Sequence, residues 1–173
     1  MLNQMIIITE AAEQELPIIQ AIAYRTWPAT FGEILSPAQI DYMLNMMYSL
    51  DSLTAQIRDK KHVFLLAQES ESQAYLGFIS YEFDYKDQAK TKIHKIYLLP
   101  ASQGKGVGRL LIDKVATLAT ERANASLSLN VNKYNKAIQF YERMGFSTID
   151  SETIDIGEGF LMEDHIMEKP LNT

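Results

Sequence analysis

The stretch Leu98-Leu99-Pro100-Ala101-Ser102-Gln103-Gly104-Lys105-Gly106-Val107-Gly108-Arg109 joins an apolar segment that predicts a strand to an amphipathic segment that predicts a long helix. The first N–H groups of a helix have no intrahelical partner, and the helix dipole adds partial positive charge at that end. Alternating glycines leave the backbone uncovered there, and Lys105 and Arg109 add fixed charge. The stretch therefore predicts an anion site, and we expect the phosphates of a cofactor in it.

Two common phosphate loops do not match this stretch. A Walker loop needs Gly, four residues and then Gly-Lys-Ser/Thr, but Gly106 stands where the hydroxyl residue belongs. The dinucleotide fingerprint, started from Gly104, needs glycine at the position of Arg109. The pattern is instead Gln-x-x-Gly-x-Gly, formed by Gln103, Gly106 and Gly108. From the loop alone, a glycine-rich turn without a ligand stays an alternative.

A second informative block follows about thirty residues later, at Asn130–Phe146. It predicts a short helix after a strand, because Asn135 is suited to cap a helix start and Gly145 to follow a helix end. One face of that helix would carry Ala137, Ile138, Tyr141 and Met144. The residues alone leave two readings for Tyr141, a core ring or a functional phenol.

Together the two blocks resemble the GNAT superfamily of N-acetyltransferases. The loop is similar to the family's pyrophosphate loop for acetyl-coenzyme A, and the second block to its segment with Asn-x-x-Ala, Phe-Tyr-Glu and Gly-Phe. The resemblance implies that Asn135 contacts the cofactor and that Tyr141, near the sulfur, protonates the departing thiolate. The cofactor-binding residues that it implies are Leu98, Leu99, Gln103, Gly104, Lys105, Gly106, Val107, Gly108, Arg109, Asn135 and Tyr141.

The composition excludes several other classes of function. The chain has 173 residues, 47% of them hydrophobic, and we expect a single domain over residues 1–173. A net charge of −6 disfavours nucleic-acid binding. Because the chain has no cysteine, disulfides, thiolate zinc sites and a cysteine acyl-enzyme are excluded. The three histidines lack metal-ligand spacing, so we predict no metal site.

The expected location follows from the apolar runs. No run approaches the roughly 20 apolar residues of a membrane span. The start, Met1–Ile8, has no basic segment of the kind that opens a signal peptide. We therefore expect a cytoplasmic protein that does not bind membranes.

Hydrophobic periodicity predicts an α/β (α+β) fold. Helices are predicted at Ala11–Trp27, from Pro37 through Met47, at Leu53–Asp59, from Val107 through Ala119, and at Asn135–Met144. Strands are predicted at Met5–Thr9, Val63–Gln68, Tyr75–Phe83, Thr91–Leu98, Ser126–Val131, Phe146–Ile156 and Phe160–Glu168. This order matches a GNAT-like, mostly antiparallel sheet of about seven strands with helices on both faces. The resemblance further implies that the parallel strands Thr91–Leu98 and Ser126–Val131 splay apart to admit the cofactor.

The chemistry implied is direct attack of an amine on the thioester in a ternary complex. An alkylammonium must first lose a proton, and His94, Glu82 and Glu33 are the candidate bases. For each, an ordinary strand or surface residue is the alternative. The candidate acceptor-binding residues are Phe31, Glu33, Tyr81, Glu82 and His94.

Several strings resemble a narrower branch, the PaiA-like polyamine N-acetyltransferases. They are Thr30–Pro37, Gln39–Leu44, Lys95–Leu98, Leu129–Asn132 and Asp155–Gly157. The resemblance implies spermidine or spermine as the acceptor, which Glu33, Glu163 and Asp164 would attract by charge. The alternatives are a protein N-terminal or lysine acetyltransferase and a non-catalytic acetyl-CoA sensor. By analogy with the fold, a homodimer is expected.

Overall fold

The structure, a computed structural model, describes residues 5–171. Within that range the seven strands are β1 (Ile6–Glu10), β2 (Val63–Glu69), β3 (Tyr75–Glu82), β4 (Lys90–Leu98), β5 (Ser126–Asn132), β6 (Ser147–Gly157) and β7 (Phe160–Pro170). The helices are α1 (Leu16–Phe31), α2 (Pro37–Tyr48), α3 (Leu50–Arg58), α4 (Val107–Glu121) and α5 (Ala137–Arg143). The strand order is β1-β2-β3-β4-β5-β7-β6. The described β4–β5 pair is parallel, and the pairs β1–β2, β2–β3, β5–β7 and β6–β7 are antiparallel, which confirms the predicted mixed sheet.

The chain divides into two compact units. The first comprises the chain up to Tyr81 together with Lys95–Val115. Its core is aromatic, since the ring of Trp27 lies 4.6 Å from Phe31 and 5.7 Å from Tyr97. Helix α2 begins where the sequence predicts, because the Ser36 hydroxyl accepts a hydrogen bond from Gln39 N–H at 3.1 Å.

The second unit comprises Glu82–His94 and the chain from Ala116 onward. The β4–β5 ladder lies in this unit and runs from Lys90–Ser126 to Ile93–Leu129. Strand β7 pairs with β5 on one side and with β6 on the other. The hairpin of β6 and β7 turns at Gly157–Gly159, where all three residues have positive φ. Two glycines so close together between strands are typical of such a turn.

Several helix boundaries differ from the prediction, among them the start of α3 at Leu50 rather than Leu53, and three of them have a local reason. Helix α1 begins at Leu16 after a 3-10 turn and places Pro17 in its first turn, where a missing N–H costs nothing. It extends past Pro28 to Phe31, so Pro28 does not end it. Helix α5 begins at Ala137 rather than Asn135, since the Asn135 side chain holds the turn before it. No helix of the described part of the chain is long and apolar enough to cross a membrane.

Candidate active site

The glycine loop that follows β4 has the backbone that its sequence predicts. After a 3-10 turn at Pro100–Ser102, Gly104 and Gly106 adopt φ of 81° and 77°, which side chains with a Cβ rarely adopt. The Gly106 carbonyl accepts from Leu110 N–H at 3.1 Å, which starts the hydrogen bonding of α4. A Cβ built on either glycine meets no atom within 4 Å. The helix start therefore faces open space that a large anion can enter.

The charged side chains of this loop are exposed, whereas its anchor is buried. Gln103, Lys105 and Arg109 are exposed, and the Arg109 guanidinium lies 3.8 Å from the Asp113 carboxylate one helical turn later. Val107, by contrast, is fully buried and fixes the first turn of α4. The loop thus presents backbone N–H groups and exposed cations to solvent from a buried anchor.

The strand end that precedes the loop is held by close backbone packing. A Cβ at Gly77 on β3 would lie 2.6 Å from the Tyr97 carbonyl oxygen, so only glycine fits there. The Leu99 N–H donates to the Leu76 carbonyl at 2.9 Å. Of the two cofactor-binding residues predicted at this strand end, Leu98 and Leu99, the N–H of Leu99 is therefore already in a hydrogen bond.

Asn135 and Tyr141 lie in the second unit, at the two ends of one short segment. The Asn135 side-chain oxygen accepts from Ala137 N–H at 2.9 Å, and its Nδ2 has no hydrogen-bond partner within residues 5–171. Tyr141 is 7% exposed, and its ring lies 5.9 Å from that of Phe146 in an edge-on arrangement. Burial raises the pKa of the Tyr141 phenol well above its ordinary value. The phenol is therefore protonated at neutral pH and able to donate.

Three of the predicted acceptor residues belong to the first unit, and two of these three are core residues. Phe31 is 3% exposed and packs on Trp27. Tyr81 is also 3% exposed, and burial raises its pKa to about 12. Glu33 lies in the exposed turn after α1. Packing accounts fully for Phe31 and Tyr81, so these two stay predictions without local support.

The other two acceptor candidates, Glu82 and His94, form a pair in the second unit. Glu82 Oε1 lies 2.9 Å from His94 Nε2, and both side chains are about one-fifth exposed. The Tyr85 ring lies 5.8 Å from the imidazole in an edge-on arrangement. A carboxylate that accepts from Nε2–H leaves the imidazole lone pair on Nδ1. This geometry suits a base whose orientation is fixed by its partner.

A cluster of polar side chains lies beside this pair, and one of its members, Lys92, is on the same strand β4. The sequence did not single out this cluster as a site. Lys92, two residues before His94, donates its ammonium to Asn130 Oδ1 on β5. Asn130 Nδ2 donates to Glu152 Oε1 on β6 at 2.5 Å and to Asp164 Oδ2 on β7 at 3.3 Å. We call these four residues the Asn130 cluster. Burial lowers the pKa of Lys92 to about 8 and raises that of Asp164.

Of the cluster, only Asp164 was named from the sequence, as a charge that attracts a polycation. The available signal was alternation: Lys92 and His94, or Asn130 and Asn132, are polar residues two apart in buried strands. That signal does not say which strands pair or in what register. The cluster depends on both.

The family follows from comparison with known proteins. Residues 33–162, three quarters of the chain, match the family model described as acetyltransferase (GNAT) domain. The chain belongs to the GNAT family. It is accordingly an N-acetyltransferase of GNAT type, and the glycine loop lies within the matched residues.

Individual relatives agree with this family membership. An uncharacterised N-acetyltransferase of Bacillus subtilis is 26% identical over 154 residues, which span 88% of this chain and 86% of the relative. The spermidine N(1)-acetyltransferase of Thermoplasma acidophilum is 24% identical over 159 residues, 90% of this chain and 94% of the relative. The crystal structure of the PaiA N-acetyltransferase of Thermoplasma acidophilum, in complex with coenzyme A, superposes with a TM-score of 0.79 at 23% identity, covering 96% and 99% of the two chains. The GNAT fold is therefore shared over nearly the whole length.

Proposed function

We propose that this GNAT protein transfers the acetyl group of acetyl-CoA to a primary amine of a small cationic molecule, with polyamines favoured. The observation that carries the proposal is the glycine loop at the start of α4, found in a chain of the acetyltransferase family. Acetyl-CoA supplies a thioester, an activated acyl group with a thiolate as the leaving group.

The residues of the loop fit the diphosphate of this co-substrate. Gly104 and Gly106 hold the backbone in conformations that expose N–H groups, and neither has a neighbour in front of it. Anions bind well at such a helix start. Lys105 and Arg109 add exposed positive charge from the same loop. In the second unit, the Asn135 amide keeps N–H donors while its oxygen accepts from Ala137 N–H.

The reaction needs one proton acceptor and one proton donor. The amine nitrogen forms a bond to the thioester carbon while the carbon–sulfur bond breaks. His94, oriented by Glu82 at 2.9 Å, takes the proton that the ammonium must lose. Tyr141, kept protonated by burial, gives its phenolic proton to the departing thiolate. The nitrogen loses a second proton as the amide forms, and this proton restores the Tyr141 hydroxyl through solvent, so the net reaction releases one proton, the one taken by His94. Without cysteine, no thiol of the chain takes up the acetyl group in between.

Two observations favour a polyamine as the acceptor. A relative that covers most of the chain acts on spermidine by its name, although the identity of 24% leaves the acceptor a proposal. The chain also has a net charge of −6, which attracts polycations. The expected homodimer and the cytoplasmic location stay predictions.

The test is thiol release from acetyl-CoA by the purified protein with a panel of amines. The panel comprises spermidine, spermine, a monoamine of similar length, and a peptide with a free N-terminus and a lysine. Saturable release with spermidine or spermine supports the proposal. Release with the peptide alone identifies a protein acetyltransferase, and tight acetyl-CoA binding without release identifies a sensor.

A further inference from the structure

The net negative charge of the protein is concentrated in one hairpin. Residues 147–170, which form β6, β7 and their turn, contain seven aspartates and glutamates and one lysine, so the hairpin alone carries −6. The rest of the chain is therefore balanced in formal charge. A surface with this asymmetry favours cationic ligands.

Strand register brings two of these carboxylates to one face. Glu152 on β6 pairs with Asp164 on β7, and Asp164 pairs in turn with Asn132 on β5. Side chains alternate between the faces of a strand, so Asn130 shares the face of Asn132. The hydrogen bonds from Asn130 Nδ2 to both carboxylates agree with this register. The carboxylates of Glu152 and Asp164 thus flank one amide.

Within residues 5–171, the carboxylates of the Asn130 cluster form no ion pair with a lysine or arginine, and the nearby Lys90 and Lys133 pair with Glu168 and Glu163 instead. The Lys92 ammonium donates to the Asn130 carbonyl oxygen, and it attracts the two carboxylates by charge without a hydrogen bond to either. Asp164 is 8% exposed, and its Oδ1 is buried without a hydrogen-bond partner in the described part of the chain. A buried carboxylate oxygen without a partner is costly, and an ammonium donor removes that cost.

The distance to the proposed base suits a second amine. His94 and Lys92 are alternate residues of β4, so they lie about 7 Å apart along one face of the strand. The Tyr85 ring lies near both side chains, with its centroid 5.8 Å from the His94 ring and 5.5 Å from the Lys92 nitrogen. A short alkyl chain can lie along this ring with an amine at each end.

We infer that the Asn130 cluster binds the second ammonium group of a diamine or polyamine acceptor while the first reacts at His94. Glu152 and Asp164 accept its hydrogen bonds, and Lys92 is an internal cation that competes with it. This inference rests on the proposed function. It makes Glu152, Asp164 and Lys92 the residues that set the preference for diamines over monoamines.

The test compares 1,4-diaminobutane with 1-aminobutane, which differ only by the second amine. For each variant the measured quantity is the ratio of their kcat/KM values. Asp164→Asn removes one charge at constant shape, and we expect the ratio to fall about tenfold or more. Lys92→Met removes the competing cation, and we expect the ratio to rise.

The matched control is Asp155→Asn in the same hairpin. Asp155 lies three residues after Glu152 and therefore on the opposite face, and the Asn side chain retains the oxygen that accepts from Gly157 N–H at 2.9 Å. This control removes the same charge without touching the cluster. An equal fall of the ratio in Asp155→Asn and Asp164→Asn would overturn the inference, because the effect would then come from overall charge.

Two further measurements keep the test decisive. If Asp164→Asn does not fold, by circular dichroism, the exposed Glu152→Gln takes its place with the same expected fall. If wild-type protein acetylates no amine, the proposed function fails, and calorimetric titration with spermidine then tests the cluster separately. Binding that weakens in Glu152→Gln but not in Asp155→Asn supports the cluster; an absence of binding, or equal binding by all variants, rejects it.

Discussion

The glycine loop and the Asn130 cluster hold charge by opposite means. The loop offers backbone N–H groups and exposed cations from one continuous stretch, and its glycines keep the space before it open. The cluster offers side chains from four strands, two of them the buried Lys92 and Asp164, linked through one amide. An anion site can be made by local geometry, whereas this cation site exists only once the strands pair. The two should therefore respond differently to substitution.

Among the substitutions, Gly106→Glu is expected to have the largest effect, a loss of acetyl-CoA affinity. The new side chain brings a negative charge and forces a Cβ onto a backbone with φ of 77°, so acetyl-CoA affinity should fall by more than about 100-fold. Isothermal titration calorimetry measures it. Gly159→Glu is the matched control, because Gly159 has φ of 78° and an equally open surround in the β6–β7 turn. Equal losses in both variants would remove the phosphate assignment.

Tyr141→Phe separates binding from chemistry. It deletes one buried hydroxyl and keeps the ring that packs on Phe146. We expect kcat to fall about 100-fold with unchanged acetyl-CoA affinity, the size typical of a lost general acid. Steady-state kinetics and calorimetry on the same preparation check both parts. A kcat that stays near wild type would leave Tyr141 a packing residue only.

A second buried lysine, Lys95 in the first unit, sharpens the comparison with Lys92. Its ammonium donates to Gln56 Oε1 at 2.6 Å and lies near the rings of Tyr48 and Phe64. Burial lowers its pKa to about 7, whereas the pKa of Lys92 is about 8, because Glu152 and Asp164 offset part of its desolvation.

This pKa of Lys95 predicts a pH-dependent stability. The unfolded lysine stays protonated up to about pH 10, while the folded one releases its proton near pH 7. The unfolded state therefore binds more protons between these pH values, and the free energy of unfolding rises with pH there. Lys95→Met should remove this rise, on the order of a few kcal/mol. Urea denaturation at both pH values measures it, and exposed Lys114→Met should keep the rise.

The smallest effect is expected from Lys105→Ala. Lys105 is exposed, so its attraction for phosphate is screened, and acetyl-CoA affinity should fall only about threefold at low salt. The difference from wild type should vanish at high salt. Lys114→Ala, an exposed lysine further along α4, should show no fall. A loss that persists at high salt would indicate a direct, desolvated contact.

These contrasts explain what the sequence could predict. Local features depend only on residues that are close in the chain, so the order of residue types is enough to predict them. They are the glycine loop, the Ser36 cap and the turn at Gly157. The seven strands also followed from periodicity, whereas their mixed arrangement was implied by the resemblance to the GNAT family. Tyr81 and Phe31 show what the local sequence cannot distinguish. An aromatic residue near a predicted acceptor region has the same sequence pattern whether it lines a site or fills a core.

Pairing across long separations was the missing information. Asn130 meets Glu152 and Asp164 from positions 22 and 34 residues away. The contact arises because β7 lies between β5 and β6, which reverses the order along the chain. The predicted start of α5 was wrong for a local reason. The Asn135 side chain accepts a hydrogen bond from Ala137 N–H and closes a turn before the helix begins.

Acetyl transfer from acetyl-CoA to an amine is measured most directly as the balance of the reaction. The protein is mixed with acetyl-CoA labelled in the acetyl group and with spermidine, and free thiol and labelled amide are quantified together, the amide by mass spectrometry. If the protein transfers the acetyl group to spermidine, we expect one acetylated spermidine for each thiol released. Thiol release without labelled spermidine amide, or no release while acetyl-CoA stays bound, would contradict it.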